Sequence, residues 1–306
     1  MNVLTQIMTS GVAFAIPLLV AAVGELISER AGILNLSVEG MMLTGAFASV
    51  VGAVATGSGI LGALIGILAA VAVGVAQGAL SVQLRADQIV TGIAINAVAL
   101  GATTYGARLL LSEGRGQNVP GFDRIDIPLL SDIPAVGNAL FSHTVLGWIC
   151  IVTVMAVVLY FSPRTVRGLT IDATGEDAKS ADFTGLPVNS IRFLSVLLTA
   201  AMSGLAGAQL ALSEVGSFAD NMTAGMGYLA VVAVIAGRWR SVGVIVACAV
   251  FGVAQALQFA MPAIGVEVPS ALLIMLPYLL AIIAMSGIIG LTRAPSDLTK
   301  PFVRAG

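Results

Sequence analysis

SPRTVRGLTIDATGEDAKSADFTGLPVNSIR, residues 162–192, is the longest polar stretch of the chain, and it decides how the rest is interpreted. Apolar segments of membrane length flank it on both sides, so it must lie in water between two membrane spans. Its charged residues have both signs: Arg164, Arg167, Asp172, Glu176, Asp177, Lys179, Asp182 and Arg192.

The inner part of this stretch carries the signals of a short helix in water. Thr174 can serve as its N-cap, and two acidic residues place negative charge in the first turn. Gly185 can end the helix, and Pro187 prevents it from resuming. The sequence therefore predicts a helix within residues 175–185.

The composition of the whole chain describes an all-α polytopic membrane protein. Of its 306 residues, 58% are hydrophobic and only 10% are charged, and the mean hydropathy is +1.02. A soluble domain carries about 25% charged residues. The net charge of −2 is too small to indicate a nucleic-acid partner. Cys150 and Cys248 lie in apolar runs, which predicts core residues rather than a disulfide or a metal site.

Nine segments between the polar breaks are apolar and close to the 20 or so residues that cross a bilayer. They are residues 6–27, 34–56, 59–82, 88–111, 143–161, 191–213, 224–237, 242–261 and 269–290. The first segment lacks the basic start and cleavage site of a signal peptide, so we expect it to be a retained span.

The loops that are rich in Arg and Lys fall on one side of the membrane when the chain crosses nine times. They are the stretch 162–192, the turn GRWRS at 237–241 and the C-terminal tail from Arg293. The positive-inside rule makes this side cytoplasmic. The loop 112–142 falls outside, and its two arginines are outnumbered by four acidic residues. We therefore expect the N-terminus outside and the C-terminus in the cytoplasm.

An internal repeat is also predicted. The motif GVAQGAL at 74–80 recurs as GVAQAL at 252–257, and each motif closes a pair of spans that begins with a Gly-Met step. In the predicted topology the two pairs cross the membrane in opposite directions. That arrangement is an inverted-topology repeat, from which many transporters are built.

No sequence pattern predicts an energy source or a catalytic site in this chain. The segment TGEDAKS at 174–180 lacks the second glycine of a phosphate-binding loop and follows no strand, so we do not expect the chain to bind ATP by itself. The single histidine, His143, has no paired base and no metal-ligand spacing. We therefore expect no catalytic residue, cofactor or metal ion.

The polar residues inside the spans are mostly neutral. In ILNLSVEGMM, at 33–42, polar and apolar residues alternate, which is typical of a broken helix that is covered by protein or a water-filled cavity. Glu39 is the one acidic residue within a predicted span, and it lies near the cytoplasmic start of that span. An ion-driven carrier needs ionisable groups near the middle of the membrane, so this position disfavours one. The predicted path for a neutral polar solute consists of Asn35, Ser37, Glu39, Asn96, Gln209 and Gln255. An interhelical hydrogen bond is the alternative role for each of them.

Four blocks of the sequence resemble, in this order, the permease subunits of bacterial ABC importers of the branched-chain amino acid and simple-sugar superfamily. They are GELISERAGILNLSVEGMMLTGAF (24–47), RADQIVTGIAINAVALG (85–101), TGEDAKSADFTGLPVNSIRFLSVLLTAAMSGLAGA (174–208) and GMGYLAVVAVIAGRWRSVG (225–243). The ERAGILNLSVEG segment resembles the nucleoside-type subgroup, which also includes permeases proposed to carry riboflavin or simple sugars.

The resemblance implies a type II ABC importer permease fold, with residues 1–306 as one transmembrane domain in the bacterial cytoplasmic (inner) membrane. The implied partners are an ABC ATPase, a second permease subunit, usually a paralogue, and an extracytoplasmic solute-binding protein. The implied coupling helix, which docks on the ATPase, carries Gly175, Glu176, Asp177, Ala178, Lys179, Ala181 and Gly185. The family commonly has Asn-Pro where this chain has Glu176-Asp177. The alternatives are a riboflavin or simple-sugar permease of the same family, or a secondary carrier or channel that works alone.

Overall fold

The computed structural model describes residues 3–111, 119–127, 133, 137–263, 269–286 and 294–303. The rest of the predicted loop 112–142, the end of the last predicted span after residue 286 and Arg293 lie outside the described residues.

Helices form nearly all of the described chain. The first group is α1 (Val3–Arg30), α2 (Val38–Thr56), α3 (Gly59–Gly78, continued by a π-helical turn, Ala79–Gln83), α4 (Gln88–Leu110), α5 (Gly137–Phe141) and α6 (Val145–Tyr160). The second is α7 (Val166–Glu176), α8 (Ala178–Phe183), α9 (Val188–Gln209, continued by a π-helical turn, Leu210–Val215), α10 (Met226–Ala236), α11 (Ser241–Ala263) and α12 (Ser270–Met285). Strands β1 (Arg124–Asp126) and β2 (Ser142–Thr144) pair antiparallel.

The membrane-spanning helices match the predicted segments. Six helices of the described chain are long and apolar enough to cross a membrane, and α6, α10 and α12 contain shorter apolar helices at the three remaining predicted positions. The predicted break in the second segment is present, because residues 31–37 are not helical and α2 begins only at Val38. The fold is therefore the predicted all-α polytopic bundle.

Helices α1 and α9 lie side by side and run in opposite directions. The Arg192 Nε donates to Ala31 O at 3.1 Å, and the Thr199 Oγ1 donates to Gly24 O at 2.9 Å, so the residue numbers rise along one helix and fall along the other. Each helix is followed by a non-helical linker, residues 31–37 after α1 and residues 216–225 after α9. The succession of helix, linker and two further helices thus occurs twice with opposite direction, as an inverted repeat requires.

Glycine allows the helices of this bundle to approach closely. A Cβ at Gly207 of α9 would lie 2.1 Å from Met42 O of α2, and one at Gly204 would lie 2.7 Å from the Ala70 Cβ of α3. On the other side of the bundle, a Cβ at Gly252 of α11 would lie 2.5 Å from Gly11 O of α1. Such backbone contacts are the usual basis of helix association in lipid.

The polar stretch 162–192 contains two helices where one was predicted. Thr174 was predicted as an N-cap, but it lies buried inside α7, and its hydroxyl donates to Ile171 O at 2.8 Å. The break comes at Asp177, whose side chain accepts a hydrogen bond from Ser180 N and so caps α8. The short helix therefore begins at Ala178, three residues later than predicted, because an aspartate is a good N-cap. Its predicted end is correct, since Gly185 follows α8 with φ +89°.

Arg192 was predicted to lie in water with the rest of the stretch 162–192, and for this residue the prediction is wrong. Its side chain is 1% exposed. It lies at the start of α9, where the contacts of other segments cover it. An arginine is almost never fully buried unless its donors are paired, and those of Arg192 are paired with main-chain carbonyl oxygens.

Candidate functional site

The N-terminal ends of α2 and α10 meet at Glu39. One oxygen of its carboxylate accepts from the Thr223 hydroxyl at 2.6 Å and from Gly225 N at 2.8 Å, and the other accepts from Gly227 N at 2.6 Å. The first turn of a helix has free N–H groups and a partial positive charge, which a carboxylate neutralises. Glu39 is 7% exposed, so it joins the two repeats through a buried, charge-assisted contact.

Asn96 of α4 closes the other side of this junction. Its Oδ1 accepts from Gly40 N at 2.7 Å, and its Nδ2 donates to Leu36 O and to the Tyr228 hydroxyl, both at 2.8 Å. The side-chain amide of Asn96 therefore forms hydrogen bonds to the main chain at the start of α2 and to a side chain in the first turn of α10. Asn96 itself is 8% exposed.

Two tyrosines border the junction on its open side. Tyr228 of α10 and Tyr278 of α12 are each 40% exposed, although their hydroxyls are bonded within the protein. The Tyr278 hydroxyl donates to Ala224 O at 2.6 Å and can still accept a hydrogen bond. The Tyr228 hydroxyl accepts from Asn96 and can still donate. A solute at this surface would meet one donor, one acceptor and two aromatic faces.

Glu39 was predicted near the cytoplasmic start of its span, and it lies in the first turn of α2, where the bundle buries it. Helix α10 has 11 residues and so runs about 16 Å from the junction to the turn at 237–240. At that turn, the Trp239 Nε1 donates to the Glu29 carboxylate at 2.6 Å, near the end of α1. This length is about half of the roughly 30 Å thickness of a hydrocarbon core.

Asn35 and Ser37 lie next to the junction but are completely buried. The Asn35 Oδ1 accepts from the Ser37 hydroxyl at 2.6 Å and from its N–H at 3.1 Å, and Asn35 N donates to the Glu25 carboxylate at 2.8 Å. These bonds hold the linker 31–37 in shape. The prediction that the two residues line a solute path gains no support from this geometry.

Gln209 and Gln255 are not brought to the junction. Gln209 lies at the end of α9, and its Nε2 donates to the Glu214 carboxylate at 3.0 Å. Gln255 lies on α11, which packs along α1. The Oε1 atoms of both residues are buried and have no hydrogen-bond partner among the described residues. Of the predicted path residues, the structure thus brings together Glu39 and Asn96, with Asn35 and Ser37 just behind them.

Sequence patterns missed the two tyrosines. Tyr228 lies within the quoted block GMGYLAVVAV and reads as one more apolar span residue, and Tyr278 lies in a uniformly apolar run. The low number of tyrosines in the chain, only 4, is a signal that could have drawn attention to these two residues. Among the described residues, no group of three His, Cys, Asp or Glu side chains could hold a metal ion.

The predicted coupling residues divide into a buried and an exposed set. Gly175, Ala178 and Ala181 are buried, whereas Glu176, Asp177, Lys179 and Gly185 are exposed. Hydrogen bonds from the Ser180 hydroxyl and main-chain N–H lower the pKa of the Asp177 carboxyl, so this N-cap stays charged at neutral pH. Phe183, which the sequence did not single out, is 81% exposed at the end of α8.

Comparison with known proteins gives a consistent assignment. Residues 7–285 match the family described as branched-chain amino acid transport system / permease component. A guanosine ABC transporter permease protein of Bacillus subtilis is 31% identical over 99% of this chain and 98% of its own length. A nucleoside ABC transporter permease protein of Lactococcus lactis is 32% identical over 96% of this chain and 95% of its own length.

A third relative has another named substrate. A Haloferax volcanii protein provisionally named a glucose ABC transporter permease is 36% identical over 84% of this chain and 78% of its own length. No solved structure gives a significant match to the chain.

Proposed function

Since the chain belongs to the branched-chain amino acid transport system / permease component family, we propose that it carries nucleosides along a path lined by Asn96, Tyr228 and Tyr278. It is the permease subunit of an ATP-driven ABC importer and a transport subunit rather than an enzyme. Permeases of this family work with an ATPase and a solute-binding protein.

The pair of half-exposed tyrosines carries the nucleoside proposal. A nucleobase is flat and presents hydrogen-bond donors and acceptors on its edge, so it can stack on an aromatic ring and bond to a hydroxyl. Tyr228 offers a free donor and Tyr278 a free acceptor beside the same helix start. Asn96 holds the Tyr228 hydroxyl in place. The names of the Bacillus subtilis and Lactococcus lactis relatives support the same class of substrate.

A second permease subunit completes the path in this proposal. Polar groups at the middle of a membrane must be covered by protein or line a water-filled cavity, and Tyr228 and Tyr278 are 40% exposed on a single chain. A partner permease, which we infer to be a paralogue, would cover this face. The solute would then pass between the two subunits.

A simple sugar is the second candidate substrate, because the Haloferax volcanii relative is named for glucose. Sugars also stack on aromatic rings and bond to hydroxyl and amide groups. They lack a flat π system, so they depend less on the ring and more on the hydroxyl. Riboflavin has a flat ring system, as nucleosides do, so the uptake experiment described next includes it as a competitor.

The substrate is tested by uptake into proteoliposomes that contain the complete transporter with its own binding protein. We expect ATP-dependent uptake of labelled guanosine and competition by other nucleosides, but not by glucose, a pentose or riboflavin. Tyr228→Leu should raise the KM for a nucleoside about tenfold, because stacking on a base contributes about 1–3 kcal/mol. Tyr228→Phe should have a smaller effect, since the ring remains.

Tyr105→Leu is the matched control for the tyrosine variants. Tyr105 lies on α4, nine residues after Asn96, and is 66% exposed. We expect its replacement to leave KM unchanged. Uptake of a sugar or riboflavin but not of nucleosides would make the substrate assignment wrong. Equal KM values for the Tyr228→Leu and Tyr105→Leu variants would remove Tyr228 from the path.

We also propose that α8 docks on the ATPase and that its end of the molecule faces the cytoplasm. Arg164, Arg167, Lys179, Arg238 and Arg240 lie at this end, as the positive-inside rule expects of a cytoplasmic face. The N-terminus would then lie outside and the C-terminus in the cytoplasm of a cell with an inner membrane. Phe183 presents an almost fully exposed aromatic side chain beside the polar residues of α8. Aromatic side chains in such a position are typical anchors of protein interfaces.

Docking is tested by the pair Phe183→Ser and Val166→Ser. Both side chains are 81% exposed, but Val166 lies at the start of α7, away from α8. We expect Phe183→Ser to weaken the affinity for the ATPase about thirtyfold, the effect of losing an anchor worth about 2 kcal/mol. Val166→Ser should have little effect. Equal ATPase affinities for both variants and the unaltered protein would contradict this role of α8.

A further inference from the structure

The C-terminal tail, residues 294–303, lies against the junction of α7 and α8. Asp297 N donates to Gly175 O at 2.8 Å, and the Asp297 carboxylate accepts from Ala178 N at 2.9 Å. The Ser296 hydroxyl donates to the Glu176 carboxylate at 2.8 Å. Phe302 is 7% exposed and packs in one cluster with Ala178, Ala181 and Val188. The buried face of the short helix is therefore covered by the end of the chain.

The same tail also contacts the linker 31–37. Thr299 N donates to Gly32 O at 3.2 Å. Gly175 of α7 lies so close to the start of this linker that a Cβ there would be 3.2 Å from Gly32 N and 2.0 Å from Arg30 O, at the end of α1. The Arg30 guanidinium forms a bidentate ion pair with Asp172 of α7 at 2.7 and 2.9 Å. The helix pair α7–α8, the tail and the linker thus form one connected unit.

Arg192 joins all three parts of this unit through its guanidinium. Its Nε donates to Ala31 O of the linker at 3.1 Å, its Nη1 to Lys300 O of the tail at 2.8 Å, and its Nη2 to Thr174 O of α7 at 3.2 Å. The three acceptors are main-chain atoms, so Arg192 fixes backbones rather than side chains. Lysine could not replace it, because one ammonium group cannot reproduce the planar fork of a guanidinium.

We propose that Arg192 and the C-terminal tail transmit the movement of α8 to the linker 31–37 and, through it, to the junction at Glu39 and Asn96. Arg192 is a positioning residue in this proposal. It touches neither the solute nor the ATPase, but it makes α8 and the linker move together. The proposal rests on α8 as the docking helix, and it adds the route by which docking reaches the substrate path.

The physical basis is the burial of the contacts. Movement of α7 and α8 relative to the linker would separate Arg192 from Ala31 O or from Thr174 O, and both of these hydrogen bonds are buried. Buried polar groups without partners are costly, so the segments keep their contacts and shift as one body. Contacts exposed to water would be less costly to break, so they would let α8 move without the linker.

The mechanical linkage is tested by hydrogen exchange on the permease in nanodiscs. Arg192→Gln, Arg192→Lys and a chain without residues 294–306 are compared with the unaltered chain. We expect faster exchange at residues 31–37 and 174–185 in all three variants and unchanged exchange in α3. Unchanged exchange at residues 31–37 would overturn the linkage. So would a uniform rise in all helices, because it would make Arg192 a general stability residue.

The role in transport is tested by the amount of solute taken up per ATP hydrolysed by the complete transporter. A loss of folded protein lowers uptake and hydrolysis together and leaves this ratio unchanged. We expect the ratio to fall about tenfold in Arg192→Gln and in the tail deletion, the size of a typical coupling between two sites. Arg167→Gln is the matched control. Arg167 lies on α7 with its guanidinium 4.2 Å from the centre of the Tyr160 ring, and it forms no hydrogen bond or ion pair with the linker or tail among the described residues.

An unchanged ratio in both Arg192→Gln and the tail deletion would overturn the proposal. Failure of the proposed function is recognised separately. The exchange measurement needs neither ATPase nor solute, so it reports on the linkage even if α8 is not the docking helix. The substrate can also be wrong without affecting the ratio, which is measured with whichever solute the binding protein delivers.

Discussion

The two linkers of the inverted repeat differ in how they are packed. Five of the seven residues in the linker 31–37 are buried, and the other two are partly buried. In the linker 216–225, one of the ten residues is buried and five are exposed. The first linker is held by Glu25, Ser28 and Gln88, which bond to its backbone. The second depends on Glu39 and Tyr278 at its end.

Because the two linkers are packed differently, they suit two different tasks. The buried linker precedes Glu39 and belongs to the unit that Arg192 joins, so it suits a framework that transmits movement. The open linker leads to Tyr228 and Tyr278, so it suits the wall of a solute path. The backbone agrees with this division, because Asn221 and Ala224 of the open linker have φ values of 54° and 45°. Such positive values cost energy in residues other than glycine, and strain of this kind often accompanies function.

The contact of Glu39, which follows the first linker, with the end of the second linker should have the largest effect when it is broken. Glu39→Ala leaves two buried donors and one partly buried donor without an acceptor, and each hydrogen bond to a charged group contributes about 1.5–3 kcal/mol. We expect the free energy of unfolding to fall by at least about 3 kcal/mol and uptake to be lost. Thermal unfolding in nanodiscs measures the first and proteoliposome uptake the second. Glu39→Gln, which keeps two acceptor positions, should retain more stability, and equal losses in both variants would contradict the assignment.

Exchange of glycine and alanine between the linkers tests their backbones. Gly32 of the buried linker has φ +94°, and a Cβ there would lie 2.6 Å from the Arg192 Nη2. We expect Gly32→Ala to lower the free energy of unfolding by about 1–2 kcal/mol. Ala224→Gly should raise it by up to about 1 kcal/mol, because glycine removes the strain of the positive φ. The same unfolding assay compares the two, and changes of the same sign would contradict the contrast between the linkers.

A serine in each linker provides a milder comparison. Ser37 is completely buried and donates to Asn35, whereas Ser217 is partly exposed. We expect Ser37→Ala to lower the free energy of unfolding by about 1 kcal/mol, the net worth of a typical hydrogen bond. Ser217→Ala should change it by less than about 0.5 kcal/mol. Equal effects in the denaturation curves would show that both linkers are held with similar strength.

The smallest effect is expected at the end of the bundle where β2 precedes α6. His143 lies in a small cavity lined by Thr9, Ser213 and Glu214 among other residues. Burial lowers the pKa of His143 from its ordinary 6.5. The unfolded chain therefore takes up a proton before the folded chain does, and the free energy of unfolding falls as the pH drops below about 6.5. His143→Gln should flatten this part of the pH profile of the melting temperature, and an unchanged profile would rule out His143 as its source.

Local sequence patterns were sufficient to locate the spans. Hydrophobic length located all nine segments; the third, for example, was predicted at 59–82 and extends from Gly59 to Gln83. This works because lipid requires each span to satisfy its own backbone and to be apolar outside. Polar residues before Val38 also predicted the interruption of the second segment. The same patterns placed Asn96 and Glu39 among the path candidates, and these two do meet at the junction.

Patterns of this kind failed where a residue's role depends on a distant partner. Asn35 and Asn96 look alike in the sequence, as polar residues within spans. Only packing shows that one is used inside a linker while the other bonds to Tyr228, 132 residues away. Phe183 and Tyr278 read as ordinary hydrophobic residues until the fold leaves them exposed.

The spans and the polar stretch 162–192 follow from composition and local order, since both act over a few residues of chain, and the family follows from the resemblance of four sequence blocks. The starting points of α8 and α10, the position of Glu39 at the start of α10 and the burial of Arg192 follow only from packing. Arg192 reads as a loop charge because its three acceptors lie 161, 108 and 18 residues away along the chain. The backbone segments around a charged residue of the stretch 162–192 thus decide whether it lies in water or in the core, and no local sequence pattern contains that information.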